Sequence, residues 1–243
     1  MGSQVEHIAY NYIRRTVWLI NRSLGRSGNR RVDVQIINTA GKILHSGSLD
    51  VTTTPNSSNN ITSLSSVLGH HTEEEVVFLK LVLTDRDTVL SRNVYWIAKK
   101  TDLLDWASSD WRHTPITEFS DFTPLNKLLA AIVEMSVAGN IRDGEAAVTL
   151  ENLSSIPAVF ISLSAINADG HEVLPLTWSD NYVTLWPGEK LTLALKTLKG
   201  AGPGFITAVR MLGKNVEEVG TCSPITKGYV LLLETTDSSL SPY

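Results

Sequence analysis

The 243 residues carry 21 basic and 25 acidic side chains, a formal net charge of −4, with 42% hydrophobic residues. That balance is enough to build ordinary cores in one or two domains, and it offers no basic footprint for nucleic acid or an anionic membrane surface. No apolar run reaches the roughly 18 residues that span a bilayer, and with Cys222 as the only cysteine an internal disulfide is excluded.

The start, Met1-Gly2-Ser3-Gln4-Val5-Glu6, has neither an apolar signal core nor a hydroxyl residue at the sixth position, so no targeting segment is expected in this chain. Ile8–Ile20 is the first strand candidate. Val32, Val34 and Ile36 then alternate with Asp33 and Gln35, the period of a strand with one buried face. Lys42–Val51 is another strand, and Asn56-Ser57-Ser58-Asn59-Asn60 reads as a polar exposed loop. His70-His71 and Glu73-Glu74-Glu75 would splay to opposite faces of a strand, which suits neither a metal site nor an acid/base pair.

Val76–Leu83 and Asn93–Ile97 continue the strands. Lys99–Thr123 loses the alternation and gathers Asp102, Asp105, Trp106, Asp110, Trp111 and Pro115, as a linker would. One helical turn is expected near Leu103–Trp106, with both tryptophans plugging the cleft between domains. Strands resume at Ile132–Val137, Glu145–Leu150, Val159–Ile166, Tyr182–Leu185, Leu191–Leu195, Phe205–Met211 and Lys227–Glu234. Gly200-Ala201-Gly202-Pro203-Gly204 leads into a strand rather than a helix, so it reads as a hairpin turn and not a phosphate loop. Many short strands with frequent turn signals predict antiparallel β-sandwiches.

The chain also repeats itself. Val17-Trp18-Leu19-Ile20-Asn21-Arg22-Ser23 and Val148-Thr149-Leu150-Glu151-Asn152-Leu153-Ser154 share V-x-L-x-N-x-S. Each precedes a strand and a turn, Ile37-Asn38-Thr39-Ala40-Gly41 and Ile166-Asn167-Ala168-Asp169-Gly170, whose glycines suit the positive φ of a tight hairpin. The repeat predicts two related sandwiches, over 1–100 and 123–243, joined by a linker at 101–122.

Trp178-Ser179-Asp180-Asn181-Tyr182 followed by Leu185-Trp186-Pro187-Gly188-Glu189 resembles the "W-S-D-N-Y … L-x-P-G-E" signature of glycoside hydrolase family two. The members concerned are of the mannosylglycoprotein endo-β-mannosidase and exo-β-D-glucosaminidase kind. Leu174-Pro175-Leu176 after Gly170 is similar to the same family's "D-x-D-G-x-x-I-L-P" lead-in. Tyr95-Trp96-Ile97 resembles its "Y-W-L", and Asp121-Phe122-Thr123-Pro124-Leu125-Asn126-Lys127-Leu128 its "Y-x-x-L-N-K-L-P". The resemblance implies an all-β fold of two tandem immunoglobulin-like β-sandwiches, forming the non-catalytic C-terminal portion of a glycosidase. It also implies a partner, a (β/α)8 catalytic barrel expected outside this chain, and no cofactor.

Glycoside hydrolysis needs two facing carboxylates, about 5–5.5 Å apart for retention. The family's acid/base glutamate follows an asparagine, and no Asn-Glu pair occurs here. Catalytic and metal-binding residues are therefore expected to be absent. Trp178, Asp180, Asn181 and Tyr182 are the candidates for a substrate rim, since aromatic faces stack on sugars while Asp and Asn bond hydroxyls. The same residues suit a structural turn in which Asp180 and Asn181 bond neighbouring amides, Tyr182 packs as a corner and Trp178 covers the core edge. A free-standing carbohydrate-binding or adhesion module is the alternative function, with an oligosaccharide as its partner. Asn21, Asn56, Asn60 and Asn152 begin N-x-S/T sequons and are glycosylation candidates. With the resemblance, they point towards the secretory route or vacuole.

Overall fold

The computed structural model describes residues 4–71, 74–139, 141, 144–198 and 206–216. Cys222, the run from Gly200 to Gly204 and the strand expected at Lys227–Glu234 lie outside them. Strands β1 (Glu6–Asn11), β2 (Thr16–Asn21), β3 (Gly28–Asn38), β4 (Ile43–Thr53), β5 (Ser57–Ser63), β6 (Val76–Asp85) and β7 (Thr88–Ala98) form the first half. They make a β1-β2-β5 sheet and a β4-β3-β6-β7 sheet. Alternation puts Ile8, Val17 and Leu19 of one sheet against Val34, Ile36, Leu79 and Leu81 of the other, all buried in one core.

Three expectations are corrected in this half. Ile8–Ile20 is a hairpin rather than one strand, because Arg15 adopts φ 51° and the Arg14 amide donates to Asn11 Oδ1, turning the chain. The run from Asn56 to Asn60 is not a loop: after Asn56, at φ 47°, its residues enter β5 and pair with β2. His70-His71 follows a short helix, α1 (Ser65–Gly69), instead of lying on a strand.

The connection between the halves holds β8 (Leu103–Leu104) and β9 (Ile116–Glu118). The expected helical turn near Leu103–Trp106 is replaced by this ribbon. Its cause is Asp105, whose amide donates to the Pro115 carbonyl at 2.9 Å while its carboxylate accepts from the Ala107 and Ser108 amides at 3.1 Å. Trp106 and Trp111 do not plug a cleft; they are 66% and 86% exposed.

A 3-10 turn over Thr123–Lys127 opens the second half. Strands β10 (Val133–Ala138), β11 (Glu145–Asn152), β12 (Ala158–Ile166), β13 (Leu176–Trp178), β14 (Val183–Leu185), β15 (Lys190–Thr197) and β16 (Ala208–Leu212) follow. They form β10-β11-β15-β13 and β14-β12-β16 sheets around Val148, Leu150, Ile161, Leu163, Leu193 and Met211.

The repeat is physical. β2 lies between β1 and β5, and β11 between β10 and β15. Asn21 and Asn152, which end these strands, are 1% and 0% exposed. Each side-chain oxygen accepts from the amide two residues on, Ser23 at 2.9 Å and Ser154 at 3.0 Å. Each Nδ2 donates to backbone carbonyls across the strand end, from Asn21 to those of Arg26 and Thr54 and from Asn152 to the buried ones of Ile156, Leu185 and Trp186. Asn38 and Asn167 match likewise, their Oδ1 atoms accepting from Ala40 and Lys42, and from Asp169 and His171.

The two sandwiches share a third core, with Ile37, Val76 and Phe78 from the first, Val159 and Trp186 from the second and Leu125 from the 3-10 turn. Gly41, at φ 81°, lies against the second sandwich: a Cβ there would overlap the Ser155 carbonyl oxygen. Gly170, its counterpart at φ 80°, has open space instead. Gly170→Ala is therefore expected to cost about 1 kcal/mol of left-handed strain, and Gly41→Ala about 1–2 kcal/mol more from overpacking. Equal midpoints for the two variants in urea denaturation would contradict this close approach.

Candidate functional site

The junction of the sandwiches concentrates both charge and exposed aromatic surface. The turn Trp186-Pro187-Gly188-Glu189 closes because Gly188 takes φ 69° and the Glu189 amide donates to the Trp186 carbonyl. The turn aims Glu189 at the first sandwich. Arg92 grips its carboxylate with two bonds, Nε to Oε1 at 3.0 Å and Nη2 to Oε2 at 2.8 Å, and also donates to the Thr184 carbonyl at 2.6 Å. Lys80 Nζ reaches Oε1 at 3.3 Å and stands 4.8 Å over the Trp186 ring.

Burial pushes the Glu189 carboxyl up, but the Arg92 bonds and charge, Lys80 and the Trp186 amide outweigh it and hold it below its ordinary value. Lys80 is also lowered, because burial outweighs its attraction to Glu189. The two partners thus differ in what wins. Arg92 makes the bidentate ion pair of this contact, and Lys80 gains little from it.

Beside this clamp lies an open cleft of about 450 Å³. Tyr12, Asn93 and Trp96 of the first sandwich line one side; Phe160, Asp180, Asn181 and Tyr182 of the second line the other, with Phe122 between. The rings form a ladder: Phe122 to Trp96 at 6.3 Å, Trp96 to Phe160 at 5.5 Å and Phe160 to Tyr182 at 5.0 Å between centroids. Phe160 and Tyr182 both have φ 56° yet remain 46% and 60% exposed. A bulky side chain in the left-handed region costs about 1–3 kcal/mol, so packing alone does not explain two such neighbours. Phe160 sits in a register shift between β12 and β14, and the Tyr182 amide donates to Asn181 Oδ1 at 2.9 Å. The Tyr12 phenol is pushed up to about 12 by burial and by Tyr95 and Tyr10, so it stays neutral.

Residues 14–100 match the family described as Mannosidase Ig/CBM-like domain, and residues 111–216 the Exo-beta-D-glucosaminidase Ig-fold domain. The exo-β-D-glucosaminidase of Hypocrea virens is 43% identical over 223 residues, 89% of this chain and 24% of that protein. The chain belongs to the immunoglobulin-like domains of exo-β-D-glucosaminidase and mannosidase enzymes of the family two type. The crystal structure of Amycolatopsis orientalis exo-chitosanase CsxA superposes with a TM-score of 0.79 at 30% identity, covering 90% of this chain and 26% of that one. A β-D-mannosidase from Dictyoglomus thermophilum shares the fold at 17% identity and a TM-score of 0.58. The chain spans about a quarter of the length of the curated relatives it matches.

Within this immunoglobulin-like pair, the four rim candidates separate. Asp180, Asn181 and Tyr182 line the cleft, whereas Trp178 packs on the second core from edge strand β13. Tyr182 is not a packed corner; it projects from it. Asp180 Oδ1 accepts from the Asn181 amide at 3.0 Å, and Asn181 exchanges two bonds with the Leu163 backbone at 2.8 and 2.9 Å. Asn181→Ala is expected to cost about 2 kcal/mol and Asp180→Ala about 1 kcal/mol in urea denaturation; the reverse order would refute this bonding pattern.

Two glycosylation candidates are corrected. Asn21 and Asn152 are themselves buried and their Nδ2 atoms are committed to backbone carbonyls, leaving no room for a glycan in this fold, while Asn56 and Asn60 are exposed. Tyr12, Arg92, Phe160 and Glu189 were not singled out by the sequence. Glu189 lay in the quoted "P-G-E" turn, but its partners are about a hundred residues away in the chain.

Proposed function

We propose that this immunoglobulin-like pair is a non-catalytic region that buttresses a (β/α)8 barrel hydrolysing β-linked glucosaminides or mannosides, in carbohydrate metabolism. Its limits are placed at 1–100 and 123–243, with 101–122 as linker. The observation carrying the reading is that relatives about four times as long contain this region. The cleft supports it, since Asp180 is the only carboxylate among its lining residues where hydrolysis requires two. Asp180, Asn181 and Tyr182 are assigned to the rim that the pair offers to substrate, and Trp178 to the core.

The purified chain is expected to release no p-nitrophenol from aryl β-D-glucosaminide or β-D-mannoside above a buffer control. Mixed with the catalytic portion of an exo-β-D-glucosaminidase prepared without its own immunoglobulin-like domains, it should co-elute on size exclusion. Turnover by the chain alone, abolished by Asp180→Asn, would sink the reading; so would failure to co-elute with a folded catalytic portion. The second reading, a free-standing carbohydrate-binding module, draws on the exposed rings of Phe160 and Tyr182.

A further inference from the structure

We infer, on the reading of this region as a buttress, that the β8-β9 ribbon is the anchor by which the pair docks on the catalytic portion. Trp106 and Trp111 enter apolar pockets of that partner, and Arg112 meets a carboxylate at their rim. Bare apolar surface is gathered on this one segment: Leu103, Trp106, Trp111, Ile116 and Phe119 are all exposed, and none belongs to the three cores. Apolar residues exposed singly are ordinary, whereas a cluster of them marks an interaction surface.

The ribbon is also ordered in advance. A two-stranded ribbon is marginal in water on its own, yet here Asp102 Oδ1 accepts from the Ser120 amide, Asp105 Oδ1 from Ala107 and Ser108, and Asp110 Oδ1 from Arg112 and His113. Ser109 Oγ meets Thr114 Oγ1 at 2.8 Å across the loop. These bonds fix the loop without burying its tryptophans, so a partner pays less entropy to grip them. The ribbon is rooted between the sandwiches. On one side the Lys99 amide donates to the Glu75 carbonyl at 2.9 Å, and on the other Phe122 and Leu125 pack into the shared core. One grip on the ribbon therefore holds both sandwiches.

The residue types select a protein as occupant. Tryptophan and arginine are enriched at protein interfaces and dominate their binding energy. The Arg112 guanidinium lies 4.7 Å over the Trp111 ring, covering a face on which a sugar would stack. Among the described residues Arg112 makes no ion pair, so its charge is left for a carboxylate of the partner. Relatives about four times as long contain this region, and their remaining length supplies that partner.

The test is a binding titration of the 243-residue chain against the catalytic portion of an exo-β-D-glucosaminidase prepared without its own immunoglobulin-like domains. The double variant Trp106→Ser, Trp111→Ser should keep the parent melting temperature, since neither ring lies in a core, and should bind about thirtyfold or more weaker. Arg112→Glu, which changes only an exposed side chain, should weaken binding about tenfold. Leu24→Ser removes a side chain as bare as Trp111 from the first sandwich and should bind as the parent does. Acrylamide should quench the exposed tryptophans of the free chain and be excluded from them in the complex. Parent affinity in the double variant or in Arg112→Glu, or quenching unchanged by the partner, would overturn the anchor while leaving the buttress reading intact. No association by the parent chain refutes both. A dimer of the chain alone that the double variant abolishes would assign the ribbon to a second copy and overturn the anchor too.

Discussion

Glu189→Ala is expected to destabilise the folded chain by about 3–5 kcal/mol, because Lys80 and Arg92 would remain buried without their counter-charge. Their side chains are 13% and 8% exposed and Glu189 is 18% exposed, so solvent screens the loss only partly. The deficit should appear in urea as an earlier transition, and Lys80→Met should be nearly neutral because burial already opposes that ammonium. The pH dependence is fixed in sign. The Glu189 carboxyl is held below the ordinary value of 4.5, so its contribution is complete above that value and is lost as pH falls through the depressed one. The stability gap between the parent chain and Glu189→Gln should therefore shrink below about pH 4.5. A gap that widened with acid would show that the carboxylate does not hold the sandwiches together.

Asn152→Ala should cost about 3 kcal/mol or more, since it strands three buried carbonyls and the Ser154 amide together. Asn152→Asp is isosteric, yet should be no better than alanine: it turns a carboxylate oxygen towards the carbonyls of Ile156, Leu185 and Trp186. Asn21, whose Nδ2 donates to the carbonyls of two exposed residues, Arg26 and Thr54, should give a smaller loss. Urea midpoints of these variants decide the matter, and a wild-type midpoint for Asn152→Asp would remove the asparagine from its structural role. Peptide mass spectrometry of material from a secretory host should find glycan on Asn56 or Asn60 only.

Local periodicity made most strands legible, because a two-residue alternation such as Val32, Val34 and Ile36 has one physical cause, a half-buried sheet. The turn residues were legible for the same kind of reason: Gly41 and Gly170 stand where the chain needs a positive φ. β5 was missed because its sequence, Ser57 to Ser63, is polar apart from Ile61, too little for an alternation to show, and it forms by pairing with β2 and packing Ile61 on the core. The cleft was half legible. The Asp180–Tyr182 turn announced itself through its own residues, whereas Phe160 reads as an ordinary strand phenylalanine until the register shift turns it outward. Asn152 misled for a related reason, since the pattern that marks a glycan acceptor is also the pattern of a buried strand-ending amide. Arg92 carries no mark in its neighbourhood and Glu189 only its place in the Pro-Gly turn; only the docking of two sandwiches gives them to each other.

The shared core has a consequence for the order in which the molecule is made. A nascent chain grows by about 5–20 residues per second, so the first sandwich must wait several seconds with Ile37, Val76 and Phe78 uncovered until the Pro187-Gly188-Glu189 turn emerges. During that interval Lys80 and Arg92, beside the bare patch, are hydrated cations that discourage sticking to other half-made chains. The same two charges that must later surrender their water are thus guardians of the unfinished protein, and only the arrival of Glu189 relieves them of that duty.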